Sequence, residues 1–360
     1  MKVAIVTGSL GLVGSAVSAE LASRAWTVYG VDSQVRAAFF GPGAANGHMV
    51  GVLRDRIGSS YIHRHTDIRD VAGIEELIQE TDPAAVVHCA GQPSHDWART
   101  NPRVDWAINA GGTINLLEAC REHAPLAAFV LMSTNKVYGD APNRAPLIDL
   151  DGRRLEYDRD EARRPRWLDP DHGIGEDCPI DRSLHSLFGV SKAAADLMTQ
   201  EYARTFGMRT VCLRAGCLTG PDHAGAELHG FLSYIVRCAV RGDPYTVHGY
   251  AGKQVRDQLD ARDLAALVAR IVDDPRPGEV YNIGGGRPNS ASLIEVADML
   301  AAAGAPVKIA GHGPERLGDH ACWITDTRRV RSHYPGWAPA RRLPGMVEEM
   351  VAAARARDGK

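Results

Sequence analysis

The sequence predicts an α/β protein: a doubly wound parallel sheet followed by a smaller, discontinuous C-terminal α/β part. Three observations carry that prediction. Short apolar runs alternate with amphipathic stretches through the first 135 residues. A G-x-x-G-x-x-G segment stands between the first apolar run and the first helical stretch. The alternation breaks over residues 140–182, which are rich in Arg, Asp and Pro, and then resumes. Strand–helix alternation of this kind builds a parallel sheet covered by helices on both faces.

In chain order, residues 3–6 form a buried-strand run and 12–21 a helix entered through glycines. Residues 28–31 are a second strand ending at Asp32, and 61–65 a third. The stretch 71–80 is helical, 85–89 and 129–132 are apolar strands, and 112–120 is the helix between them. After the break come a helix over 191–205 and a strand over 210–213. Beyond Arg214 the pattern is mixed, with a helix over 231–241 and a strand over 280–283. The expected division is residues 1–185 as a dinucleotide-binding domain, with 140–185 as an irregular excursion or lid. Residues 186–360 then hold the rest of the sheet and a discontinuous substrate-binding domain.

Composition narrows the function classes. The 360 residues carry 41 Lys plus Arg against 44 Asp plus Glu, a net charge of −3. That balance argues against a broad nucleic-acid or anionic-membrane footprint. No apolar run approaches the roughly 20 residues that span a bilayer. Seven scattered Cys contain no C-x-x-C pair and read as thiols of a reducing compartment. The N-terminus enters a strand pattern directly, without the charge and small-residue marks of a signal peptide. A cytoplasmic soluble protein is expected. His63 and His65 flank Arg64, but no nearby acid or Cys completes a metal-ligand set.

The chemistry begins at Gly8, Gly11 and Gly14. Glycines let a backbone approach a pyrophosphate, and the following helix start at Leu10, Leu12 and Val13 offers N–H groups and a positive dipole end. Asp32 lies 18 residues after Gly14, at the end of the next strand, with Ser33 after it. That spacing suits a carboxylate receiving ribose hydroxyls. It also repels a 2′-phosphate, which favours NAD over NADP, although Arg36 lies close by. Asp67 and Ile68 follow the third strand, where an acid meets the adenine amino group. Ala90, Gly91 and Gln92 follow the fourth, where small residues permit close approach. Ligands of open α/β sheets bind at the carboxyl ends of strands, and all four segments lie there.

With these stand Asn109, the run Ser133-Thr134-Asn135-Lys136-Val137-Tyr138-Gly139, Gly189-Val190-Ser191-Lys192, Gly252-Lys253-Gln254-Val255-Arg256-Asp257 and Asn282-Ile283-Gly284-Gly285. Together they resemble the extended short-chain dehydrogenase/reductases of Rossmann type, the NAD-dependent nucleotide-sugar epimerases and dehydratases. Within these, the Thr-Asn-Lys-Val-Tyr-Gly run is most similar to the CDP-paratose (CDP-tyvelose) 2-epimerases. The resemblance implies NAD as cofactor, a nucleotide sugar as substrate, and transient oxidation of a sugar carbon followed by hydride return to its other face.

It also implies roles. Thr134 bonds the reacting hydroxyl. Lys192 binds the nicotinamide ribose and lowers a neighbouring pKa. Ser133 and Asn109 line the cofactor site. Asn135, Gln254, Arg256 and Arg316 fall at substrate positions, where an arginine fork suits a diphosphate. Helices 112–120 and 191–205 occupy the dimer-interface positions of relatives, so a homodimer is expected.

Two positions depart from the family pattern. Phe188 stands where the family has the tyrosine of Tyr-x-x-x-Lys, and phenylalanine has no proton to exchange. Cys217 stands where many relatives place an Asn that touches substrate. Three explanations for Phe188 remain open: a rerouted proton, a chemistry that needs no deprotonation there, or binding without turnover. The rerouted proton is preferred. His185 (one turn from Phe188 if that stretch is helical), Lys136, His95, Asp96 and Lys192 are the candidate bases. His95-Asp96 follows the Gln92 loop, beside the expected nicotinamide and substrate.

Overall fold

The computed structural model describes every residue except 1, 162–163, 224, 226–229, 316–317 and 360. Two compact units divide the chain. The first contains Met1–Val137, Ser186–Arg214 and Leu264–Tyr281; the second contains Tyr138–His185, Ala215–Asp263 and Asn282–Lys360.

The first unit carries β1 (Val3–Thr7), α1 (Leu12–Ser23), β2 (Thr27–Val31), α2 (Arg36–Phe40), α3 (Met49–Ile57), β3 (Tyr61–Arg64), α4 (Val71–Thr81) and β4 (Ala85–His88). After these come α5 (His95–Thr100), α6 (Pro102–Trp106), α7 (Gly112–His123), β5 (Ala128–Thr134), α8 (Leu187–Phe206), β6 (Arg209–Ala215), α9 (Ala261–Asp273) and β7 (Val280–Ile283). The sheet order is β7-β6-β5-β4-β1-β2-β3. β1 pairs in parallel with both β2 and β4, Ile5 lying opposite Tyr29 on one side and Val86 on the other. The order therefore reverses at β1, and its carboxyl end is the crevice where such sheets bind ligands. Ile5, Ile74, Ile78, Val86, Leu116 and Phe129 are among the fully buried residues of its core. α8 starts at 187, earlier than periodicity alone predicts, because Ser186 caps it by accepting the Gly189 N–H. Gly207, at φ +67°, ends it. Residues Ala107–Gly111 form a π-helical turn before α7.

In the second unit, strand Val255–Asp260 pairs in parallel with Cys217–Thr219 and Cys322–Trp323, and antiparallel with Ser290–Ser292. Helices Phe231–Arg241, Leu293–Ala302 and Leu343–Asp358 share a core through Ile235, Val236, Leu300 and Val347.

The expected boundary at 185 is corrected here, because Tyr138–His185 belongs to the second unit. This stretch is also built structure rather than an irregular excursion. Leu147–Leu150 and Arg154–Tyr157 form an antiparallel hairpin. Leu155 N–H donates to Lys253 O at 2.8 Å, and the buried Tyr157 hydroxyl donates to Cys322 O at 3.3 Å. Arg154 is paired both within the stretch and beyond it, lying 3.1 Å from Glu156 and 3.2 Å from Glu295. Strands of two to four residues are too short to leave a readable period, which is why the pattern alone reads as irregular.

Candidate active site

At the end of β1 the glycines are sterically required. Gly8 has φ +65°, and a Cβ there would lie 2.7 Å from Ala90 N. A Cβ on Gly14 would lie 2.2 Å from Gly8 O. Gly11 caps α1 without a side chain and donates its N–H to Gly8 O at 3.0 Å. The first turn, with Leu12 and Val13, therefore offers its N–H groups to an anion without competition from a capping oxygen or an acidic side chain.

Asp32 closes the cradle. Its Oδ2 accepts Leu10 N–H at 3.2 Å and its Oδ1 accepts Gln34 N–H at 2.7 Å. Burial raises its pKa, while these two backbone donors pull it down. Ser33 follows it, partly buried. Arg36 stacks on Phe40 at 4.9 Å; burial lowers its pKa against the raising effect of Asp32. Asp67 is forked by Arg69, with contacts of 2.9 Å to Oδ1 and 2.7 Å to Oδ2 that hold its pKa low. Ile68 is buried against Gly112, where a Cβ would lie 2.4 Å from it. Glycine cradle, capless helix and ribose-side carboxylate together fit NAD. Gly8, Gly11, Gly14 and the start of α1 would hold its pyrophosphate, and Asp32 would hold the adenosine ribose.

His88, at the end of β4, fastens the two loops of this crevice. Thr7 Oγ1 lies 2.7 Å from its Nδ1, and Thr113 Oγ1 lies 3.1 Å from its Nε2. Thr7 Oγ1 also accepts Ala90 N–H, and Thr113 Oγ1 donates to Asn109 O at 2.6 Å. Those backbone groups fix the direction of every proton: Thr7 donates to Nδ1, and Nε2–H donates to Thr113. The ring is fully buried, and desolvation pushes its pKa down to about 3, so it is neutral.

The side chains of Gln92, Asn109 and Ser133 are engaged by other groups of the protein. Gln92 Nε2 donates to Ser94 O at 2.8 Å and to Asp105 Oδ1 at 2.9 Å. Asn109 Oδ1 accepts Gln92 N–H at 2.8 Å, and its Nδ2 lies within 3.1 Å of Gln92 O, Asp105 Oδ1 and Ser191 Oγ. Ser133 Oγ donates to Asp196 Oδ2 at 2.5 Å. All three are buried and engaged inside the unit, so they position the loops. Asp196 also receives Arg214 Nη2 at 2.8 Å and Gln200 Nε2 at 2.7 Å.

Lys192 is buried, and its Nζ donates to Met132 O at 2.9 Å, two residues before Thr134 on β5. Desolvation brings its pKa down to about 8 against the raising effect of Asp196. Thr134 is only partly buried; its Oγ1 accepts Lys136 N–H at 3.3 Å and lies 3.5 Å from Asn135 Oδ1. Lys136 lies in the 3-10 turn Asn135–Tyr138. Phe188 is buried in the first turn of α8, and its ring meets His95 edge to face at 4.9 Å. His95 Nδ1 lies 2.7 Å from Ser186 Oγ. The one-turn relation of His185 to Phe188 does not hold. The helix begins at Leu187, and His185 lies in the second unit with its Nδ1 at 2.9 Å from Ser183 O.

In the second unit, Gln254 Nε2 donates to His248 O at 2.9 Å, while its buried Oε1 has no hydrogen-bond partner among the described residues. Arg256 is buried and paired with Asp319, so its charge is already neutralised. Cys217, partly buried, opens the strand beside Val255–Asp260. Arg316 lies outside the described residues. Sequence reasoning missed Ser186, Asp196, Arg214, Asp105 and His88. Two of them left a signal: a serine just before the helix and an acid one turn beyond Lys192.

Among the described residues no group of three or more His, Cys, Asp or Glu is arranged to hold a metal, and no helix is long and apolar enough to cross a membrane. The chain is 30% identical over 354 residues to CDP-paratose 2-epimerase of Salmonella typhi, covering 96% of this chain and 97% of that one. It is 27% identical over 311 residues to dTDP-glucose 4,6-dehydratase of Salmonella typhimurium, covering 83% and 77%. Among solved structures, UDP-glucose 4-epimerase of Thermus thermophilus, a complex with NAD, superposes with a TM-score of 0.76 at 24% identity over 99% of both chains. The profile of the NAD dependent epimerase/dehydratase family matches residues 4–284, and the chain belongs to that family of NAD-dependent, nucleotide-sugar-converting enzymes.

Proposed function

We propose that the chain is a nucleotide-sugar 2-epimerase working on a CDP-linked hexose by transient oxidation and hydride return. The observation that carries this reading is the end-to-end likeness to CDP-paratose 2-epimerase, 96% of one chain against 97% of the other. NAD supplies the group that receives a hydride from a sugar carbon and gives it back. The chain's own residues do the rest. The partly exposed Thr134 hydroxyl holds the reacting sugar hydroxyl. Lys192, tied to the β5 backbone, holds the nicotinamide ribose. Asn135 lies beside Thr134 on the substrate side, and Gln254, Arg256 and Arg316 hold the diphosphate and flanking sugar groups. For Arg256 this requires Asp319 to release the guanidinium to the incoming anion, an exchange of one ionic partner for another.

A homodimer through α7 and α8 belongs to the same proposal. Ile114, Val190, Leu197 and Phe206 are large apolar side chains exposed on these two helices. A cytoplasmic location also belongs to it, supported by seven cysteines that form no disulfide among the described residues.

The test is incubation with CDP-, UDP-, ADP- and GDP-linked sugars in D₂O, followed by NMR and mass spectrometry. The expected product is an epimer without deuterium at the inverted carbon. Deuterium there would mean proton exchange beside a carbonyl and would overturn the mechanism. A product lighter by one water would move the chain to the dehydratase reading that its second relative represents.

A further inference from the structure

We propose that His95 takes the proton that the missing phenol would have taken, its ring aimed by the Ser186 hydroxyl. This rests on the epimerase reading above. Phe188 leaves the pocket without a base at the family's position, yet the phenyl ring does not stand alone. The His95 imidazole meets it edge to face with ring centroids 4.9 Å apart. The imidazole is therefore packed against the ring that replaces the family's phenol.

The imidazole is also oriented. Its Nδ1 lies 2.7 Å from Ser186 Oγ, and the same oxygen accepts the Gly189 N–H at 3.1 Å as the cap of α8. A hydroxyl oxygen has two acceptor sites. The Gly189 N–H fills one. We assign the other to an Nδ1–H, which makes Nε2 the basic nitrogen, the arrangement by which a neighbouring group aims an imidazole at a reacting proton.

Two of the other candidates, His185 and Lys192, are already engaged. His185 belongs to the second unit and bonds the Ser183 carbonyl. Lys192 donates a proton to Met132 O, and taking up a substrate proton would first require losing one of its own.

The step balances within these groups. As the sugar C–H bond breaks and its hydride departs to the cofactor, the O–H bond breaks, the carbon–oxygen double bond forms, and Nε2 receives the proton. On return, the imidazolium gives that proton back to the oxygen as the new C–H bond forms on the other face.

The test uses CDP-paratose and CDP-tyvelose as probes on the full chain. His95→Gln is expected to lower kcat by about 100-fold or more, the usual share of a positioned base. KM, retained NAD and the melting temperature should stay near wild type. Two rescues separate chemistry from structure: added imidazole should restore His95→Ala, and Phe188→Tyr should restore His95→Gln. A kcat for His95→Gln within about threefold of wild type overturns the inference. So does a large loss that neither rescue relieves, because His95 then serves only packing. If the wild-type chain converts neither probe, nor any sugar of the wider panel, the epimerase reading falls and this inference falls with it.

Discussion

Because His88 is held neutral between two threonines, this buried ring should contribute to the pH dependence of the protein's stability. Burial brings the imidazole pKa from 6.5 to about 3. Between those values the unfolded chain binds one proton more than the folded one, so stability falls as pH falls through that window. The contribution is fully present above 6.5. Each pH unit below that costs about 1.4 kcal/mol, so a drop from pH 8 to pH 5 removes about 2 kcal/mol and a drop to pH 3 about 5 kcal/mol. Other carboxylates and histidines titrate over the same range, so the informative quantity is a difference of differences. Urea unfolding at fixed saturating NAD would be followed by tryptophan fluorescence at pH 8 and pH 5 for wild type and His88→Leu. The variant should be less stable at pH 8, because the Thr7 and Thr113 hydroxyls lose their partner. It should then lose about 2 kcal/mol less than wild type on going to pH 5. Equal losses in the two proteins would show that the ring is not held neutral and would refute the proton directions assigned from Ala90 N–H to Asn109 O.

Gly14→Ala places a methyl group 2.2 Å from Gly8 O, which moves the cradle; NAD affinity by calorimetry should fall by about 100-fold, and an unchanged Kd would refute the cradle assignment. Lys192 is charged below pH 8 in a buried site, and the penalty is relieved as pH rises from about 8 to 10.5, because the unfolded chain there binds the extra proton. Lys192→Met should therefore raise stability at pH 7 by up to about 3 kcal/mol while turnover falls by about 100-fold or more; a variant less stable than wild type would contradict this. Gln254→Met removes a buried oxygen that lacks a donor, so stability should hold or rise by about 1 kcal/mol while substrate KM rises; an unchanged KM would release Gln254 from the site. Leu197→Asp on α8 should convert a dimer to a monomer by light scattering, and a wild-type monomer would end the dimer proposal.

Much of the first unit was legible because its signals are local. There β1, β2 and α4 differ from their predicted bounds only at their ends, and in the second unit the helix at 231–241 matches its bounds. Glycine spacing and Asp32 likewise placed the cradle, since both follow from short-range geometry. The rest depends on contacts distant in sequence. Nothing near Gln92 reveals that Asp105 and Asn109 will take up its side chain, and nothing near Ser133 reveals Asp196, 63 residues on. The 140–185 stretch failed for a related reason: its strands are stabilised by partners at 253, 322 and 324, far beyond any sequence window.

The two units differ in how completely their polar groups are satisfied, and that difference separates framework from ligand-binding surface. Around the cofactor crevice, Thr7, His88, Thr113, Gln92, Asp105 and Asn109 form bonds in which each group meets a partner. A network of that kind holds its shape before a ligand arrives, and it leaves the glycines and the first turn of α1 to meet the anion. In the second unit, three polar side chains within five residues keep a buried atom without a partner among the described residues: Gln254 Oε1, Asp257 Oδ1 and Gln258 Nε2. Each such atom costs about 1–3 kcal/mol, a cost that a ligand supplying the missing bonds would relieve. They flank Arg256, whose cation is held by Asp319. On the proposed function, variants along strand Val255–Asp260 should alter substrate choice before they alter cofactor binding.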